Sequence, residues 1–216
     1  MRDSPLLQVK VWGDFACFTR PEMKVERVSY PVMTPSAARG ILEAIFWKPE
    51  FEWRVEEIWV LNPIRHFSIL RNEINEKQSH RAASGWQKSG GCYYADEDRA
   101  QRHTLALRDV AYIIKADIVL REHADADVAK YRDQFRRRVK KGQCLHRPGL
   151  GCREFAADFC EPDGTEIPEQ ITDELGLMLG EMAYGAGGRA QPVFFNAKLK
   201  EGILYIPDCV YSGGKT

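Results

Sequence analysis

From Leu105 to Leu120 the chain alternates. Val110, Tyr112, Ile114, Ala116, Ile118 and Leu120 fall on one side, and Ala111, Ile113, Lys115, Asp117 and Val119 on the other. A period of two sustained this long is a strand, so the chain must build a sheet around it. Upstream, Leu7 to Phe18 is rich in strand formers (Val9, Val11, Phe15, Phe18) and reads as a first strand interrupted at Gly13. Thr34 then stands where an N-cap belongs, with Pro35 at the first helical position. Ala38, Ile41, Leu42, Ile45 and Phe46 recur at helical spacing, and the helix must end before Pro49. Phe51 to Leu61 reads as a second strand. Asp127 to Lys141 reads as a second helix with the apolar stripe Val128, Tyr131, Phe135 and Val139, stopped by Gly142. Cys152 to Phe159 reads as one more strand. The order strand, helix, strand, strand, helix, strand predicts an α+β, ferredoxin-like domain over residues 1–160, an antiparallel sheet with two helices on one face.

Residues 71–103 have no clean period and read as a long loop, a feature that in a compact domain tends to be functional or mobile. Residues 161–216 predict a small β-rich extension. In it, Ile171 to Met182 reads as a helix, Gly185 to Gly188 as a turn, and Phe194-Phe195 and Ile203 to Ile206 as strands.

The net charge is zero, with 31 basic and 31 acidic side chains, but the charges are segregated. Residues 130–153 carry Lys130, Arg132, Arg136, Arg137, Arg138, Lys140, Lys141, Arg147 and Arg153 against Asp133 alone, and residues 154–183 carry nine acids and no Lys or Arg. Such a basic block is the electrostatic footprint of a polyanion ligand, unless the acidic stretch folds back to neutralise it. The longest uncharged run, Val28 to Ala38, is 11 residues, too short for a spanning helix, and the first 20 residues lack the apolar core of a secretory signal. Six cysteines form no CxxC pair, and the expected compartment is a reducing cytoplasm. Cys144, Cys152 and Cys160 are eight residues apart and the five histidines are scattered, so no metal or cofactor is expected. The closing Gly213-Gly214-Lys215-Thr216 lacks the upstream glycine and the following helix of a phosphate loop.

Three stretches go further. They are Arg39-Gly40-Ile41-Leu42-Glu43-Ala44-Ile45-Phe46-Trp47-Lys48-Pro49; Leu61-Asn62-Pro63-Ile64-Arg65 running on to Ile69-Leu70-Arg71-Asn72-Glu73-Ile74; and Lys130-Tyr131, Phe135-Arg136-Arg137-Arg138, Lys141-Gly142-Gln143-Cys144 and Leu150-Gly151-Cys152-Arg153-Glu154-Phe155. With the opening Gly13-Asp14-Phe15-Ala16-Cys17-Phe18-Thr19 they resemble the CRISPR-associated RAMP-superfamily proteins of the type I-C (Dvulg) system, subtype d of the fifth Cas family. The resemblance implies a metal-independent endoribonuclease that cuts CRISPR precursor transcripts within their repeats. It then stays with the guide RNA as a subunit of the interference complex. The alternative is a non-catalytic subunit that caps the 5′ handle of the guide; duplex DNA is a further polyanion that the same surface could take.

RNA can be cut without a metal when its own 2′-hydroxyl attacks the adjacent phosphorus. A base takes the 2′ proton, an acid protonates the leaving 5′ oxygen, and a cation stabilises the phosphorane, leaving a 2′,3′-cyclic phosphate. In the family a tyrosine on the first helix and a consecutive lysine and histidine at the second are implicated. The lysine matches Lys130, while Phe46 stands at the tyrosine position and Tyr131 at the histidine position. The candidate catalytic residues are therefore Lys130 and Tyr131, with His146, beside Arg147, as a further acid or base. Arg136, Arg137, Arg138, Lys140 and Lys141, with Arg65 and Arg71, are the candidate phosphate contacts, since Arg forks suit phosphate oxygens. Trp86, in the expected loop, is the candidate stacking face for an unpaired base.

Overall fold

The alternation at residues 105–120 belongs to a single strand, Arg99–Leu120, 22 residues long. The computed structural model describes residues 5–23, 25–75, 79–184 and 190–212. Along it run β1 (Leu7–Ala16), β2 (Arg27–Val28), α1 (Pro35–Ile45), β3 (Phe51–Val60), β4 (His66–Ile74), α2 (His80–Ser89), β5 (Arg99–Leu120), α3 (Val128–Lys140), β6 (Asp158–Cys160), β7 (Asp173–Tyr184), β8 (Ala190–Lys200), β9 (Ile203–Tyr205) and α4 (Cys209–Ser212). The fold is mixed and strand-rich: the described strands form one sheet in the order β6-β1-β5-β3-β9-β8-β7, with β2 and β4 also pairing with β5. Every pairing is antiparallel except β2 with β5. Among the described residues no helix is long and apolar enough to cross a membrane.

β5 is used twice along its length. Its first half pairs with β4, from Arg99 opposite Ile74 to Leu107 opposite His66. Its second half lies between β1 and β3, with Ile114 opposite both Val9 and Ile58. α1 packs on β3, and α3 on β1 and β5. Between helices and sheet, Val9, Val11, Ile41, Ile45, Ile58 and Ile114 are fully buried. Five rings complete this layer: Phe51 touches Phe46, Trp53 and Tyr131 at centroid distances of 5.4, 5.6 and 5.4 Å, and Phe135 meets Trp53 edge-on at 4.8 Å.

The helix ends follow their local signals. Thr34 accepts the Ala37 amide at 3.3 Å, Asp127 accepts the Ala129 amide at 3.2 Å, and Gly142 takes the left-handed conformation (φ 62°) beyond α3. The other end of α1 is closed from outside. The carbonyl of Ala44 accepts the Leu145 amide at 2.7 Å, that of Ile45 accepts Arg138 Nη1 at 3.1 Å, and that of Phe46 accepts the Trp53 indole at 2.9 Å. Unpaired carbonyls at a buried helix end would be costly, so α3 and the segment after it are tied to α1.

Several expectations are corrected. Ile171 to Met182 is not a helix: Asp173–Tyr184 is strand β7, bulged twice and paired with β8. Gly176 and Gly180 would each cost a helix about 1 kcal/mol, whereas Gly176 sits here at φ 73° and Gly180 admits Val210, whose Cγ1 would lie 2.7 Å from an added Cβ. Residues 71–103 are not one loop but the end of β4, the helix α2 and the start of β5. Cys152 to Ala157 is turn and bend before the three-residue β6. Gly13 does not interrupt β1; it lets the segment 150–156 approach, since a Cβ there would meet Leu150 Cδ1 at 2.7 Å and the Ala156 carbonyl at 2.8 Å. The turn at Gly185 to Gly188 and the stretch Gly213 to Thr216 lie outside the described residues.

Phe135 is 1% exposed within the ring cluster. Phe135→Ala is expected to lower unfolding free energy by about 3 to 5 kcal/mol in urea denaturation; a loss below about 1 kcal/mol would show that this layer is not the core.

Candidate nucleic-acid interface

The helical period of α3 divides its basic residues by function. Arg132 faces inward, 4% exposed, and is held by Asp117 and the Pro5 carbonyl. Arg138 also turns in, donating to the Ile45 carbonyl and lying over the Phe46 ring at 5.6 Å; it closes α1 and is not a free phosphate contact. Arg136 is exposed and paired with Asp133 at 3.1 Å. Arg137, Lys140 and Lys141 are exposed, with no ion pair among the described residues.

The chain then carries the basic face onward. Leu145 and His146 cross the end of α1, their amides 2.7 and 3.4 Å from the Ala44 carbonyl. The glycine loop after them is fixed to the end of β1. Cys17 donates its amide to Leu150 at 3.0 Å, and Gly151 (φ 85°) lies so close that a Cβ would be 2.1 Å from the Cys17 carbonyl. Between this loop and α1 opens a groove of about 870 Å³. Thr34 at the N-cap of α1 and Ser36 and Gly40 within it line one wall, and His146, Arg147 and Arg153 the other. Arg153 is exposed with no ion pair among the described residues, and Arg147 contacts Asp158 at 3.1 Å.

The acidic stretch does not neutralise this surface. Glu154 pairs with Arg71, Glu166 with Lys10, Glu174 with Lys198 and Glu181 with Arg39. Among the described residues, Asp158, on Arg147, is the one acid of that stretch in an ion pair with the basic block. Arg39–Glu181 ties α1 to β7 at 3.0 Å, and burial pushes the Glu181 carboxyl up from its ordinary value despite that partner.

The carry-over positions gather on one ring. Phe46 and Tyr131 both pack against Phe51, and both side chains are buried. The Tyr131 hydroxyl lies 3.4 Å from Asp125 Oδ1; burial, with Glu50 and Asp125 nearby, pushes the phenol up, so near neutrality it is a proton donor and not a base. Lys130 is exposed in the first turn of α3. Neither Lys130 nor Tyr131 lines the groove, whereas His146 does. Arg65 is exposed with Asp109 at 3.5 Å. Arg71 is largely buried by Glu154 and the Phe155 ring, 5.1 Å away, and belongs to the fold of the loop. Trp86 lies on a helix, α2, not on a loop, and stacks on Tyr93 at 5.9 Å. The sequence placed Arg147 and Arg153 in the basic block but not among the candidate phosphate contacts, and it did not point to the α1 wall. The signal available was Gly149-Leu150-Gly151 beside the block, which marks close backbone approach.

A family model described as CRISPR-associated protein (Cas_Cas5) matches residues 6–205. The protein named CRISPR pre-crRNA endoribonuclease Cas5d of Thermus thermophilus is 48% identical over 219 residues, covering 93% of this chain and 91% of its own. The protein of the same name from Mannheimia succiniciproducens is 44% identical over 214 residues, covering 93% and 94%. Among solved structures, a CRISPR-associated protein superposes with a TM-score of 0.68 at 26% identity, over 94% of this chain and 92% of its own. A functionally uncharacterized protein from Streptococcus mutans gives 0.67 at 21% identity, over 94% and 93%.

Charge removal should separate the two sides of α3. Arg138→Ala is expected to destabilise by roughly 1 to 3 kcal/mol, because a buried carbonyl loses a charged donor. Removing the Arg137, Lys140 and Lys141 side chains should each stay within about 0.5 kcal/mol. Thermal and urea unfolding of the four alanine variants would check this, and equal losses would refute the assignment.

Proposed function

This chain belongs to the Cas5d family of CRISPR-associated proteins, and we propose from that premise that it cuts CRISPR precursor transcripts within their repeats and keeps the guide RNA it makes. The observation that carries the reading is the set of exposed cations, Arg137, Lys140, Lys141 and Arg153, without an ion pair among the described residues, together with the groove lined by His146, Arg147 and Arg153. Such a surface suits a phosphodiester backbone, and its donors at the groove suit a reacting phosphate. The relatives named as pre-crRNA endoribonucleases support the substrate. The retained product would make the protein a subunit of the interference complex, beside other Cas proteins in the cytoplasm.

The strand order β6-β1-β5-β3, with α1 and α3 as the intervening helices, supports a ferredoxin-like core within residues 1–160. Residues 161–216 then form a β-rich extension whose β9 pairs with β3.

In this reading the 2′-hydroxyl attacks the adjacent phosphorus. Lys130, carried over from the family motif and lying outside the groove, supplies charge to the phosphorane, and His146 on the groove wall is the alternative group to move a proton at the 2′ or the leaving 5′ oxygen. Tyr131, with a raised phenol, holds a proton and donates hydrogen bonds; Phe46 has no ionisable group and contributes only packing. Buried Phe46 and Tyr131 favour a second reading, a subunit that binds the 5′ handle without cutting.

One assay decides between them: purified protein with a labelled cognate repeat RNA in EDTA. Cleavage is expected to persist, to end in a 2′,3′-cyclic phosphate, and to vanish on a single 2′-deoxy substitution 5′ of the scissile phosphate while binding remains. Lys130→Ala should lower the single-turnover rate by about 10²-fold with little change in affinity, and Phe46→Tyr should speed the reaction if the missing phenol limits it. A metal requirement or cleavage of the 2′-deoxy substrate would overturn the mechanism; tight binding of RNA, or of duplex DNA, without cleavage would favour the binding subunit.

Binding has its own signature. Each alanine at Arg137, Lys140 or Lys141 should lower the slope of log affinity against log salt by roughly 0.7 to 0.9. An unchanged slope in a folded triple variant would remove this face from the interface.

A further inference from the structure

Cys17 and Cys152 are the two buried cysteines among the described residues, and they meet across the junction that fixes the glycine loop. Cys17 follows directly on β1, and Cys152 follows Gly151 on the wall of the groove. The Cys152 sulfur contacts the Cys17 carbonyl at 3.7 Å, while Cys17 donates its amide to Leu150 at 3.0 Å. The close approach of Gly151 to the Cys17 carbonyl holds the backbones of the two segments together. Arg27 Nη1 lies 3.4 Å from the Cys152 sulfur, and Thr19 Oγ1 lies 3.6 Å from that of Cys17.

This setting is unlike that of inert core thiols, which lie among apolar groups. Here a guanidinium and a hydroxyl face the pair. A hydrogen bond from Cys152 holds the Cys17 thiol well below the ordinary thiol range against the opposing effect of burial, and Arg27 and Arg71 add to it; Cys152 is correspondingly pushed up. Two thiols in adjacent segments, beside a guanidinium that favours a thiolate, supply the attacking and resolving sulfurs that disulfide formation needs. The remaining cysteines show nothing comparable: Cys92, Cys144 and Cys209 are exposed, and Cys160 is half-buried.

We propose that Cys17 and Cys152 are an oxidation site for hydrogen peroxide, closing to an internal disulfide that locks the glycine loop to β1. The Cys17 thiolate attacks one peroxide oxygen, the O–O bond breaks, and hydroxide leaves; the proton that Cys17 had released turns it into water. Cys17 now carries a sulfenic acid. The Cys152 sulfur displaces its hydroxyl, the S–S bond forms, and the Cys152 proton leaves with that hydroxyl as a second water. Two thiols are oxidised and one peroxide is reduced, and a dithiol reductant reverses the step. The inference does not depend on RNA cleavage.

The test uses the full chain with Cys92, Cys144, Cys160 and Cys209 replaced by Ser, treated with hydrogen peroxide and quenched. The expected result is a fall in titratable thiols from two to none, a mass loss of about 2 Da for the two hydrogens, and full return with dithiothreitol. Adding Cys17→Ser should abolish the internal linkage. The wild-type protein gives the same answer without those substitutions: after its accessible thiols are blocked with N-ethylmaleimide and peroxide is added, proteolytic mapping should recover a linked Cys17–Cys152 peptide pair. Persistence of both thiols, or oxygen adducts on one of them without linkage, would overturn the proposal.

Discussion

Arg138 leaves α3 to close the end of α1, and the arrangement of the interface depends on that reach. Its guanidinium satisfies the Ile45 carbonyl, the Leu145 amide satisfies Ala44, and the Trp53 indole satisfies Phe46. A helix end buried under aromatic rings needs donors, and water cannot supply them there. Because the donors come from α3 and the segment after it, the two helices are locked in relative position. The chain emerging from α3 is thereby drawn across α1. Only then do His146, Arg147 and Arg153 come to stand opposite Thr34, Ser36 and Gly40.

The segregation of charge along the sequence has a spatial counterpart. Acids of residues 154–183 are spent on Arg71, Lys10, Lys198 and Arg39, which bind the loop, β1, β8 and α1 to their neighbours. The basic block is left with Asp133 and Asp158 as its exposed partners. Zero net charge therefore coexists with a strongly cationic face, since exposed like charges on one surface sum locally whatever the far side carries.

What could be read from the residues was what local physics decides. Thr34 with Pro35, and Asp127 with Gly142, set helix ends through capping, which needs no distant partner. The period of two in Leu105 to Leu120 set a strand for the same reason. Ile171, Leu175, Met178 and Met182 have helical spacing, yet the segment is a strand, because pairing with β8 and the fit of Val210 at Gly180 outweigh that spacing. Arg138 shows the same boundary within the site. It sits in a run of three arginines, and nothing in the run tells which turns inward; the carbonyl of Ile45, 93 residues away, decides. The groove was illegible for the same reason, since its walls come from α1 and from a loop more than a hundred residues later.

β9 carries a consequence for the order in which the molecule can assemble. Its three residues lie between β3 and β8, pairing Glu57 with Tyr205 and Leu199 with Leu204. During synthesis β1, α1 and β3 emerge early, but the edge of β3 stays open until residues 203–205 arrive. An open edge of a sheet is a template for pairing with other chains. Contacts of such sequence separation also form slowly, because the intervening chain must be ordered first. The slot beside β3 can be filled only once residues 203–205 have been made. β9 is long enough to bridge two strands but too short to pair stably alone, so the far end of the chain completes a sheet that its beginning starts.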